Sequence, residues 1–115
     1  MEIKIINESI TNADLVEAAK DFDGEFVKAV VDVSRRLMAI GGTMHSDEES
    51  VLLEDGSIQE DLWGINIYPA KTGSERIEFD SMINIRPKQE NRSRNVEDPG
   101  VRKAIMEIVD SMVAP

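Results

Sequence analysis

The chain has 115 residues, with 13 Lys and Arg against 23 Asp and Glu, one His and no Cys. This length holds one hydrophobic core, so a single domain over residues 1–115 is expected. The missing cysteines exclude a disulfide scaffold, thiolate metal sites and a cysteine nucleophile, and the lone histidine excludes any site built on two imidazoles. A formal net charge of -10 repels phosphate backbones and anionic lipid heads, so neither nucleic acid nor a membrane surface is an expected partner.

The opening Met-Glu-Ile-Lys-Ile-Ile-Asn is too short and too charged for the apolar region of a signal peptide, and it reads as a strand around Ile3 and Ile5. A cytoplasmic location is the expectation. Thr11 and Asp14 form a capping box, with Ile10 set to pack on Leu15 as a hydrophobic staple, so a short helix should begin here and stop by Asp21, before Asp23-Gly24. Phe22, Phe26, Val30, Val33 and Leu37, with Val27, Val31 and Met38 beside them, keep a three-and-four spacing that predicts an amphipathic helix running to Ile40. Arg35 and Arg36 would suit its carboxyl end, and Gly41-Gly42 would supply the left-handed exit.

After the glycines the period changes. Val51-Leu52-Leu53, Glu54-Asp55-Gly56-Ser57 and the residues from Ile58 onward predict a hairpin turning at Asp55-Gly56. Trp63, Ile65 and Ile67 alternate with Gly64, Asn66 and Tyr68 in a strand closed by Pro69. A long strand should follow, with Ile77, Phe79, Ser81, Ile83 and Ile85 on one face, ended by Pro87. Matching the apolar faces pairs Ile67 with Ile77, Ile65 with Phe79 and Trp63 with Ser81. On the other face it puts Tyr68 by Arg76, Asn66 by Glu78 and Gly64 by Asp80. Lys88 to Asn95 has no period and reads as a loop ordered by side-chain contacts. Asp98-Pro99 then opens a last helix whose inner face carries Val101, Ile105, Ile108 and Met112.

The expected fold is α+β: an antiparallel sheet of three or four strands with helices packed on one face. The opposite sheet face, carrying Asn66, Tyr68, Met82, Asn84 and Arg86, is then left to solvent, a ligand or a second subunit.

No Lys or Arg occurs between Arg36 and Lys71, whereas Arg86, Lys88, Arg92 and Arg94 make a short positive stretch. His45 followed by Asp47 and Glu49 is the nearest approach to a catalytic cluster, with His45 as base and Asp47 orienting it; a solvated acidic loop is the plainer reading. Asp47 and Glu49 are also candidates to hold a hard cation. Asn84 and Arg86, helped by Arg92 or Arg94, would form a forked anion clamp; alternatively Arg86 pairs with the acidic segment and fastens the loop to the sheet. Trp63-Gly64 reads as a core aromatic beside a place where another backbone comes close. A calcium loop fails at Asp55-Gly56, because Val51, Leu53 and Leu62 stand where ligands are required. Gly-x-Ser-x-Gly is absent, and Gly41-Gly42-Thr43 lacks the phosphate-loop spacing. No cofactor, resident metal or enzyme class is assigned.

The run Gly41-Gly42, His45, Asp47, Leu52-Leu53, Asp55-Gly56-Ser57, Gln59, Leu62-Trp63-Gly64, Asn66, Tyr68-Pro69, Asn84-Ile85-Arg86-Pro87 and Asn91 resembles a small family of bacterial and archaeal proteins known only as a domain of unknown function. The resemblance implies one compact domain and no particular activity. Two functional readings follow from the residues. The first is a non-catalytic binding or assembly module, its exposed sheet face meeting an identical subunit or a protein partner. The second is a small-ligand-binding protein or modest hydrolytic enzyme, in which His45 and Asp47 work with the Asn84–Arg86 clamp on an anionic substrate.

Overall fold

The computed structural model describes residues 2–114. In chain order it contains β1 (Lys4–Ile6), β2 (Ile10–Thr11), α1 (Asn12–Ala18), β3 (Val27–Asp32), β4 (Leu37–Ile40), α2 (His45–Glu54), β5 (Leu62–Ile67), β6 (Ile77–Glu78), α3 (Pro99–Met112) and β7 (Val113–Ala114). Five strands form one antiparallel sheet in the order β1-β4-β3-β5-β6, and β2 pairs with β7 in a small parallel ribbon. The fold is α+β, with one more strand than the upper expectation.

That extra strand comes from Val27–Ile40, which is a β-hairpin and not the predicted helix. Asp32 makes the turn: its Oδ1 accepts from the backbone N–H groups of Ser34 and Arg35, each at 2.9 Å, and Arg36 takes φ of 55°. The β-branched run Val27, Val30, Val31 and Val33 favours extended backbone. Both hairpin strands sit inside the sheet and bury nearly every residue on both faces, so no two-residue alternation betrays them and a helical spacing arises by coincidence.

Helix and hairpin are exchanged a second time after Gly42. The expected turn at Asp55-Gly56 is the end of α2: Gly56 has φ of 107°, its N–H donates to Leu53 O, and Ser57 N–H donates to Leu52 O. These two bonds close the helix by the left-handed glycine exit. The two outer helices begin as predicted. Thr11 Oγ1 accepts from Asp14 N–H while Asp14 reaches back to Thr11 N–H, and Asp98 Oδ1 caps Gly100 and Val101 ahead of Pro99. Leu15, Ala18, Ile105, Ile108 and Met112 all enter the core.

The predicted register holds where β5 meets β6, with Ile67 opposite Ile77 and Asn66 opposite Glu78. It then breaks, and the long strand is only two residues. Beyond Glu78 the amide of Asn84 replaces the ladder: its Oδ1 accepts from Gly64 N–H at 2.8 Å and its Nδ2 donates to Gly64 O at 2.9 Å. Ser81 therefore packs on Gly64, where a Cβ would come within 2.6 Å of it, instead of pairing with Trp63.

Helices cover both faces of the sheet, contrary to the one-sided packing expected. α2 lies over the face of Val30 and Gly64, with the His45 ring 3.2 Å from the Cβ position of Gly64. Trp63, on the other face, borders a groove with Pro99 and Val101 of α3. The supposed open face is consequently closed: Asn66 is 6% exposed and Asn84 0%, Arg86 and Tyr68 are partly buried, and Met82 alone of that set stands out in solvent.

Candidate functional site

Gly41-Gly42 carries the chain from β4 into α2 and brings His45, the first residue of that helix, down onto the sheet. Its imidazole Nε2 lies 2.7 Å from the Ile65 carbonyl. A carbonyl only accepts, so Nε2 carries the ring proton and donates it. Burial pushes the imidazole pKa down to about 4; the Ile65 bond opposes the shift, and among the surrounding charges Lys28 and Arg94 lower it while Asp80 raises it. The ring is neutral at pH 7.

Met44, ahead of the helix, contributes no side-chain cap; its carbonyl takes the N–H groups of Asp47 and Glu48, and those of His45 and Ser46 stay open. Above them lies a cavity of about 150 Å³, lined chiefly by Lys28, His45, Ser46, Ser81, Met82 and Arg94. The Lys28 ammonium lies over the Phe22 ring at 5.7 Å and forms no ion pair among the described residues. Arg94 Nε donates to Asp80 Oδ1 at 2.6 Å, which offsets part of its charge. One turn along α2, Glu48 is fully buried, with Oε2 accepting from Gly42 N–H at 3.0 Å and Oε1 unpartnered. Burial pushes its pKa up to about 9, so it holds its proton at neutral pH.

The predicted site residues separate into different places. Asp47 is exposed in the first turn of α2, where its charge suits the helix dipole, and makes no contact with His45. The orienting partner is the Ile65 carbonyl instead. Glu49 faces Arg86 at 3.8 Å, away from Asp47, and no group of three His, Asp or Glu residues suited to a metal ion occurs among the described residues.

The side chains of Asn84 and Arg86, the expected clamp, are spent on the protein itself. Asn84 holds Gly64 and the Arg94 carbonyl. The Arg86 guanidinium donates to the carbonyls of Ile83 and Leu62 and to Gln89, and stacks on Trp63 at 4.7 Å. Arg86 therefore fastens the loop to the sheet and pairs with the acidic segment through Glu49, the alternative weighed above. Arg86 and His45 border separate cavities. Asn66 and Tyr68 both donate to Glu78 Oε1, at 2.8 and 3.1 Å. Arg92 is exposed and uses its backbone N–H on Glu97. The loop from 88 to 95 is ordered by side chains as expected, with Asn91 Nδ2 donating to the carbonyls of Asn84, Ser93 and Asn95.

Lys28, Ser81 and Glu48 were missed. Lys28 was placed on a helix that does not exist, and Ser81 was given to the wrong sheet position. Glu48 stands three residues after His45, a spacing that signals a shared face only once the segment is known to be helical.

The molecule is thus a two-sided α+β domain with a small cavity, walled by both charged and apolar side chains, over the start of its middle helix. The chain belongs to the family described as Protein of unknown function (DUF5674), whose model matches residues 4–112. No curated protein and no solved structure matches it. No helix among the described residues is long and apolar enough to cross a membrane.

Proposed function

We propose that this protein is a small-ligand-binding domain whose site is the cavity over the start of α2, and that its ligand is a small anion. The observation that carries the reading is His45: only 6% exposed, it lines the cavity while its Nδ1 has no hydrogen-bond partner among the described residues. Nδ1 is not sealed from water, so it stands as an open acceptor that a ligand entering the cavity can engage. The unpaired Lys28 ammonium and the uncapped α2 amides give the same spot a positive potential on an otherwise acidic molecule. The cavity is smaller than the roughly 300–1,000 Å³ of drug-sized ligand pockets, which favours a ligand of few atoms.

This reading keeps the anionic ligand expected from the sequence and moves its site from Arg86 to Lys28 and Arg94. The assembly reading loses its surface, since the face assigned to a homo-oligomer or protein partner lies beneath α2 and the segment around Ser81 and Asn84. The hydrolytic reading loses Asp47 as the group that orients His45, since Asp47 is exposed and Nε2 is held by the Ile65 carbonyl.

Calorimetric titration of the full chain with inorganic phosphate at low ionic strength tests the proposal. Binding should release or absorb heat, raise the melting temperature and weaken about tenfold in Lys28→Met, with added salt eroding the difference. Absence of heat and of any thermal shift at millimolar phosphate, sulfate, glycolate and acetate overturns it.

A further inference from the structure

The groups around this cavity differ in what they can offer a ligand. Lys28, Arg94 and the amides of α2 only donate. The hydroxyls of Ser46 and Ser81 can donate or accept, whereas His45 is a fixed acceptor. Because Nε2–H is spent on the Ile65 carbonyl, the neutral ring carries a lone pair on Nδ1. Cδ2 faces the sheet, 3.2 Å from the Cβ position of Gly64, which turns the opposite ring edge, with Nδ1, away from the strands. Nδ1 lacks a partner among the described residues, yet it is not one of the unpartnered side-chain atoms sealed from water. A fixed acceptor therefore stands inside a site of positive potential.

An anion without a proton of its own would set lone pair against lone pair at His45. An anion with a hydroxyl would satisfy both requirements, its charge meeting Lys28 and the helix amides while its O–H donates to the ring.

We infer that the ligand of this cavity is a small oxyanion carrying its own hydrogen-bond donor, hydrogen phosphate or an α-hydroxycarboxylate, recognised by donation of its hydroxyl to His45 Nδ1. The inference rests on the anion-site reading and narrows it. Burial supports it by keeping the ring neutral, and so an acceptor, through the physiological range.

Two matched pairs of probes test the donor requirement in calorimetric titrations of the full chain at pH 7: inorganic phosphate against sulfate, and glycolate against acetate. The hydroxyl-bearing member of at least one pair should bind about tenfold or more tightly, the usual scale for one buried hydrogen bond to a charged ligand, and the two pairs show which source is preferred. His45→Ala should erase the preference while leaving residual binding of both members.

A second measurement needs no substitution. The chain has a single histidine, so the ¹⁵N signal of its Nδ1 can be followed directly. It should move on saturation with the preferred hydroxyl-bearing probe and stay in place with its partner lacking the hydroxyl. Equal affinities within both pairs, or an Nδ1 signal that ignores a bound hydroxyl-bearing anion, overturn the inference while leaving the anion site standing. Failure of all four anions to bind removes the anion site itself.

Discussion

Replacing Glu48 with Gln tests whether a carboxyl group is held in its acid form beneath Gly42. In the unfolded chain this group ionises at its ordinary 4.5, whereas burial raises it to about 9 in the folded protein. At a pH below 4.5 both states hold the proton. As pH rises from there, the unfolded state releases it and the folded state does not, so stability falls by about 1.4 kcal/mol per pH unit until the folded pKa is reached. Between about pH 5 and pH 8 the loss sums to about 4 kcal/mol.

Glutamine cannot ionise and escapes that loss. It keeps an oxygen for the Gly42 N–H but buries an amide NH₂ where Oε1 already has no partner, a cost of about 1–3 kcal/mol at every pH. Glu48→Gln should therefore be the less stable protein near pH 5 and should match or surpass the parent near pH 8. Urea denaturation across this range, with free energies extrapolated to water, reads the difference at each pH. The slope isolates ionisation from packing, because the orphan amide adds only a constant. A difference that stays the same from pH 5 to pH 8, within about 1 kcal/mol, would refute the burial of a protonated acid here.

Asn84→Ala should cost about 3 kcal/mol or more and remove exchange protection at the Gly64 amide, because both backbone groups of Gly64 and the Arg94 carbonyl lose a buried partner; a loss below about 1 kcal/mol would contradict that role. Gly64→Ala should destabilise by about 1–3 kcal/mol through the 2.6 Å approach to Ser81, and Ser81→Gly added to it should restore most of the loss in the same denaturation assay. For His45 the sign is opposite to that of Glu48: its folded pKa lies below the ordinary 6.5, so its contribution is complete above 6.5 and disappears as pH falls towards 4, a change of about 3 kcal/mol. Proton NMR of the single histidine should give a midpoint near 4, and a midpoint near 6.5 would show that the ring is wetted.

Local chemistry was readable from the sequence wherever a few adjacent residues settle the outcome. The capping box at Thr11 and Asp14, the Asp98-Pro99 start of α3 and the stripe of Ile105, Ile108 and Met112 depend on neighbours three or four positions apart, and all stand as read. So does the first contact of β5 with β6, where alternation and the loop between them set the register. Membership of the family was legible too, although it carried no activity with it.

Tertiary position decided the rest. Val27–Ile40 is extended because it lies in the middle of a sheet covered on both faces, a circumstance that erases the alternation by which strands are recognised. Asp55-Gly56 suits a hairpin turn and a helix end equally well, and what precedes it in space chooses between them. Asn84 and Arg86 look like ligand-binding groups in one dimension; they prove to be internal ties only when Gly64 and the Leu62 carbonyl come within bonding distance from some twenty residues away. His45 was visible from the start, but its proton, its neutrality and its free nitrogen are set by the Ile65 carbonyl and by the depth to which α2 sinks onto the sheet. Spacing along a chain reports which side chains share a face, whereas burial and distant hydrogen-bond partners determine what those side chains can do.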